Sequence, residues 1–207
     1  MRHDNQVTGG YLKGRIRRED IITTAVAVYA EAGYHGSSLR EIARRVGITH
    51  AGLLYYFPTK ESLLTAVLER RDAEDDERER LSVPPGREAL AHLVALAEHN
   101  VRHPGIVDVY ARLAAEAVAV DHPAHDYFER HYRLARAYAV DSFRVLAARG
   151  ELRAGVDPEL AGLNLVAVMD GLQVQWLSNG SAVDLVGALR FYLQDLVTVP
   201  LDQSEPA

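Results

Sequence analysis

The stretch from Ser38 to Phe57 constrains the chain most, because it reads as two short helices broken at one glycine. Ser38 is placed to cap the first helix, and Glu41 three residues later completes a capping box. Leu39, Ile42, Ala43 and Val46 recur on one helical face. Gly47 stops that helix, since glycine enters left-handed backbone without a Cβ penalty. Ile48 plugs the corner, Thr49 is a natural N-cap for the second helix, and Pro58 ends that helix after Phe57. Two helices joined by a short glycine-containing turn make a helix-turn-helix, whose second helix enters a DNA major groove. The competing reading is an ordinary helical hairpin in a core. Three features disfavour it: Arg40, Arg44 and Arg45 line the polar side of the first helix; His50, Tyr55 and Tyr56 stand beside small Ala51 and Gly52 in the second; and Lys60 follows within reach of a phosphate.

The formal net charge of −6 looks wrong for a nucleic-acid binder until it is divided along the chain. Residues 1–60 carry nine basic against five acidic side chains, a balance of +4 that leaves −10 for the remainder. A locally positive segment coinciding with the motif is the electrostatic footprint expected of a DNA-binding end. No cysteine is present, which removes disulfides, thiolate metal sites and a cysteine nucleophile. No apolar run approaches the ~20 residues a membrane helix needs, and Met1 to Gly14 is polar without a signal-peptide core. A cytoplasmic setting without membrane contact is therefore expected. Arginine outnumbers lysine heavily, Lys13 and Lys60 being the only lysines.

The spacing predicts an all-α protein. Residues 1–14 are expected to form a flexible arm and residues 15–60 a three-helix helix-turn-helix DNA-binding domain. Its first helix starts near Arg15 and ends at Ala32, just before Gly33, with Ile22, Ala25, Val26, Tyr29 and Ala30 inward. Residues 61–200 are expected to form a helical dimerisation domain, to which a family resemblance adds effector binding, and 201–207 a tail. Thr59 caps a fourth helix, Val83-Pro84-Pro85-Gly86 makes the clearest break, and further breaks fall at His103-Pro104-Gly105, Asp121-His122-Pro123, Gly150 and Asn179-Gly180. The last two long helices, one from Pro158 and one from Ala182, are apolar over more than one face. Such helices need a second burial surface, most simply a second copy of the chain packing them into a four-helix bundle. A two-fold dimer also places two recognition helices in successive major grooves ~34–36 Å apart, hence on two half-sites of double-stranded operator DNA.

The chain resembles the TetR family of bacterial transcriptional regulators. The similarity is strongest from Arg15 to Leu68. It rests on Ala32-Gly33-Tyr34, on Ser38 through Ala43, on Val46 through Thr49, and on Leu53 followed by Tyr55 through Leu63. The resemblance implies a dimeric, all-helical regulator, usually a repressor, that leaves its operator when a small apolar or amphipathic molecule binds the C-terminal domain. Leu54 departs from the family, where tyrosine is frequent, and removes one phosphate-directed hydroxyl. Tyr55 and Tyr56 match phosphate-contacting positions, and Lys60 matches the phosphate-binding lysine after the motif. In physical terms Thr49, Tyr55 and Lys60, with Ser38 and its helix N-terminus, are expected to hold phosphates and set register. His50, Ala51, Gly52 and Tyr56 are expected to face base edges, Ala51 near a thymine methyl and His50 near guanine acceptors. So few long side chains reach the groove that DNA shape is expected to carry part of the preference.

For the effector, Tyr127, Asp170, Gln173 and Trp176 are the expected pocket contacts, as polar or amphipathic residues within apolar helices. Asn100 and Tyr132 are of the same kind. His122, His125 and Glu129 fall along one helical face, but Pro123 between them favours a solvated surface, so no metal and no cofactor is expected. His92 and His99 share a face around Leu96. Arg112 and Glu116 form either a surface pair or buried polar groups. No nucleophile elbow, zinc-protease motif or phosphate loop is present, so no enzymatic activity is expected. An effector-free DNA-binding protein is the alternative, and an all-helical enzyme stands behind it.

Overall fold

The computed structural model describes residues 4–79, 83–179 and 182–201, in nine helices with no strand among them. α1 (Asp4–Gly36), α2 (Leu39–Val46) and α3 (His50–Tyr56) form the head, and α4 (Lys60–Glu79) leads away from it. α5 (Arg87–Arg102), α6 (Pro104–Glu116), α7 (His125–Ala148), α8 (Pro158–Ser178) and α9 (Leu185–Leu196) make the body. Most breaks fall where the punctuation put them. Proline opens α6 and α8 at the first turn, where its missing N–H costs nothing. Asp157 and Asp184 cap α8 and α9 through their carboxylates.

Two boundaries differ from the expectation. α1 begins at Asp4 rather than near Arg15, so the segment expected as a flexible arm has helical backbone from Asp4 to Gly14. It contains no proline, and Gly9, Gly10 and Gly14 lower helix propensity without forbidding the helix. α6 ends at Glu116, short of Val120, and the connection to α7 runs through turns. The expected tail beyond Leu201 lies outside the described residues. No described helix is long and apolar enough to cross a membrane.

Two apolar clusters hold the molecule. The first joins Ile21, Ile22 and Tyr29 of α1, Ile42 of α2 and Leu53 of α3 to Leu63, Leu64 and Val67 of α4. It then continues into Val109, Tyr110 and Leu113 of α6 and Phe128 of α7. The second joins Leu90 and Val94 of α5, Phe143 and Leu146 of α7, Leu165 of α8 and Leu189 and Leu193 of α9. The head therefore shares its core with α6 and the start of α7.

Candidate nucleic-acid interface

The helix-turn-helix is built from local signals. Ser38, in extended backbone, accepts a hydrogen bond on Oγ from the Glu41 N–H at 3.2 Å. Gly47 takes φ 76° and ψ 34°, and its N–H returns to the end of α2. Thr49 Oγ1 accepts from the Gly52 N–H at 3.0 Å and opens α3. Leu53 is the one buried residue of α3 and fixes the helix to the head core. Around it Ala51 is exposed, and His50 and Gly52 are partly exposed. Tyr55 is 84% exposed, and its ring meets that of Tyr56 edge-on at 5.3 Å. Tyr56 packs partly against the head core, so of the two tyrosines Tyr55 is the one standing free toward solvent.

The capping box forms only in half. The Glu41 carboxylate accepts from Arg44 at 2.7 and 2.9 Å and from Arg45 at 2.7 Å. Arg45 also forks onto Glu31 with two 2.7 Å bonds. The hydrogen bonds from Arg44 and then Arg45 hold the Glu41 carboxyl down at about 2. Two of the three arginines singled out on α2 thus spend charge internally, while Arg40 is exposed with no ion pair among the described residues.

Lys60 reaches inward. Its ammonium donates to the Ser37 carbonyl at 2.7 Å and lies 4.3 Å from the Tyr34 ring centroid. Burial pushes its pKa down, against the opposing pull of Glu61 and Glu116. Tyr34 is itself a junction. Its hydroxyl donates to Glu61 at 3.0 Å, and its N–H donates to both oxygens of Glu116 on α6, at 3.1 and 3.3 Å. Gly33, at φ 69° and ψ 178°, breaks the helical geometry before Tyr34. A Cβ at Gly33 would run into the Glu116 carboxylate. This position requires glycine both for its backbone and for the close approach of α6.

The expected effector contacts touch both apolar clusters. Tyr127 packs partly against the first cluster, its ring edge-on to Phe128 at 5.1 Å. Trp176 packs partly against the second. Gln173 is partly exposed between them in sequence. Asp170 accepts a hydrogen bond from Tyr132; burial pushes its carboxyl up, and that bond pulls it back. Tyr132, whose phenol is raised by burial and then by Asp170, is the aromatic that meets Asp170.

The histidine pattern is corrected. His122 is 4% exposed, not on the solvated surface. Its neighbours are neither His125, whose Nδ1 lies 2.9 Å from the Ala117 carbonyl, nor Glu129, but His35 and Glu116. Burial pushes the His122 imidazole's pKa down, against the opposing pull of Glu116 beside it. Arg112 pairs with Asp108 at 2.9 Å and leaves Glu116 to Tyr34. His99 stacks on His103 at 4.0 Å. The junction of Tyr34, His35, Glu116 and His122 is what the linear pattern missed, since its halves lie more than eighty residues apart.

A capped, partly exposed second helix on an all-helical scaffold defines a helix-turn-helix regulator. The model for bacterial regulatory proteins of the tetR family matches residues 21–67, and that for the C-terminal part of BetI-type transcriptional repressors matches residues 85–198. The chain belongs to the TetR family of bacterial regulatory proteins. The HTH-type transcriptional regulator RutR of Escherichia coli is 40% identical over 52 residues, which are 25% of this chain and 24% of RutR. The chain thus spans about a quarter of that relative. The fatty acid metabolism regulator protein of Bacillus subtilis is 24% identical over 190 residues, covering 86% of this chain and 92% of the relative. Among solved structures, the SmeT–triclosan complex, SmeT being the repressor of a Stenotrophomonas maltophilia multidrug efflux pump, aligns with TM-score 0.74 at 21% identity. That alignment covers 93% of this chain and all of the other, and it establishes the shared fold.

Proposed function

We propose that this chain is a homodimeric transcriptional repressor that holds a two-half-site operator and leaves it when a small apolar or amphipathic effector enters the body. The observation that carries the reading is α3 itself. It is pinned by Leu53 and capped by Thr49, and it presents Tyr55, Ala51 and His50 on one open side. Ser38, Thr49, Tyr55 and Lys60 hold phosphates, while His50, Ala51, Gly52 and Tyr56 meet base edges. For Lys60 this means exchanging the Ser37 carbonyl for a phosphate as the duplex docks.

Dimerisation follows from unburied apolar surface. Leu160, Leu163 and Val174 of α8 and Phe191 of α9 are exposed, Phe191 by 77%. Pairing α8 and α9 with those of a second copy hides them in a four-helix bundle and sets the heads at half-site spacing. The effector site is assigned to the α7–α8 side of the body, with Asp170 and Tyr132 as its polar pair and Tyr127, Gln173 and Trp176 as further contacts. SmeT, solved with triclosan, supports a small-molecule ligand for this fold. The signal path runs from α6 through Glu116 and Tyr34 to Lys60 and α3.

The reading is tested by a mobility-shift assay on the DNA flanking the chain's own gene, repeated with a panel of apolar metabolites and antibiotics. A retarded band abolished by one class of compound is the expected result. Retention that no compound alters favours an effector-free DNA-binding protein, and no retention removes the reading altogether.

A further inference from the structure

We propose that His35, Glu116 and His122 form a divalent transition-metal site that clasps the DNA-binding head to the body. One ligand atom from each residue lies within 4.8 Å of the other two. His35 comes from the end of α1, Glu116 from the last residue of α6, and His122 from the turns that follow. The site thus draws on both sides of the seam.

Three observations point to a ligand rather than to chance proximity. The His122 side chain is fully enclosed, yet its Nε2 makes no hydrogen bond and faces Glu116 Oε2 at 3.5 Å. A buried polar atom matched only by so long a contact is uncommon and needs an explanation. The two imidazole rings lie 5.3 Å apart at 74°, both flanked edge-on by Tyr34, which narrows their freedom. His35 is exposed, so the cluster opens to solvent on one side and an ion has an entry path.

Two imidazoles and one carboxylate are the donor set of borderline ions such as Zn²⁺ and Co²⁺, with water in a fourth position. Bond lengths of about 2.0–2.2 Å place tetrahedral ligands roughly 3.3–3.5 Å apart. The cluster therefore closes by little more than an ångström, which rotation of the exposed His35 supplies. Glu116 gives Oε2, the oxygen facing His122, to the ion and keeps Oε1 on the Tyr34 N–H at 3.3 Å. His122 Nδ1 accepts from the Ala124 N–H at 3.2 Å, which puts the proton of a neutral ring on Nε2. Ligation at Nε2 moves that proton to Nδ1 and ends the Ala124 bond, which gives metal binding a signature in the imidazole tautomer.

The test uses tag-free, full-length protein stripped with a chelator and titrated with Co²⁺ in the absence of DNA. It is therefore independent of the operator-binding reading. The expected result is visible absorption of tetrahedral Co²⁺ saturating at one ion per chain, displaced by Zn²⁺. The His122 ¹⁵N resonances should pass at the same time from the Nε2–H to the Nδ1–H tautomer. His35→Ala, at an exposed position, keeps the fold and weakens binding more than about 100-fold, beyond the loss from a residue one step removed from a metal. His99→Ala leaves it unchanged. Absence of the tetrahedral band, or a band that survives both His35→Ala and Glu116→Gln, overturns the proposal.

Discussion

Gly33→Ala tests whether the head and body are joined where the structure joins them. At φ 69° and ψ 178° the backbone lies in a region essentially restricted to glycine, and holding alanine there costs about 1–3 kcal/mol. The new Cβ also displaces the Glu116 carboxylate, which then loses the Tyr34 N–H. Leaving that partly buried donor unmatched adds about 1–3 kcal/mol. The sum is a destabilisation of about 2–6 kcal/mol, or a fall in Tm of roughly 4–24 °C at this chain length and fixed protein concentration. Differential scanning calorimetry on wild type, Gly33→Ala, Glu116→Ala and the double variant separates the two parts. In the Glu116→Ala background the displacement is gone, and only the backbone cost of about 1–3 kcal/mol remains. A Gly33→Ala protein within about 0.5 kcal/mol of wild type, the scale of an ordinary surface change, would refute the reasoning.

Further outcomes follow from the same geometry. Lys60→Ala should weaken operator binding about equally across related operators and lower the salt slope by about one, as measured by fluorescence anisotropy; a loss confined to one sequence would contradict its phosphate role. Leu53→Ala removes the single buried anchor of α3 and should cost about 2–5 kcal/mol in urea unfolding, and a cost below about 1 kcal/mol would show that α3 is held otherwise. Phe191→Glu should convert the dimer to monomer in analytical ultracentrifugation, and an unchanged sedimentation coefficient would place the interface elsewhere. Because Glu41 ionises at about 2 when folded, below its unfolded value, its contribution is present above the ordinary carboxylate range and is lost as pH falls through about 2. The carboxyl ¹³C shift should titrate there, and should return toward the usual range in an Arg44→Ala, Arg45→Ala double variant.

What the linear pattern revealed was what neighbours in sequence determine. Ser38, Gly47 and Thr49 act within one turn of themselves, so their caps and the order of the helices were legible. The failures came from competition over longer range. Glu41 takes two guanidinium donors instead of closing its capping box, because in those bonds donor and acceptor are both charged. The contacts of Lys60 with Ser37 and Tyr34 were not legible, because only the fold brings those residues beside it. His122 was legible as a possible ligand but paired with the wrong neighbours. Helical spacing favours His125 and Glu129, whereas its companions, His35 and Glu116, come from other elements. Tyr34 carried a signal only through the family resemblance; nothing local announces that its N–H meets a carboxylate 82 residues away.

The central claim is that a small, locally positive head grips a duplex while the acidic body pairs two copies. It is met most directly by measuring, across a salt series, the affinity and stoichiometry of the purified protein on a double-stranded promoter fragment. The account predicts one dimer per operator and a log affinity that falls linearly with log salt concentration. A protein that stays monomeric and shows no salt-dependent affinity for any promoter fragment would contradict it.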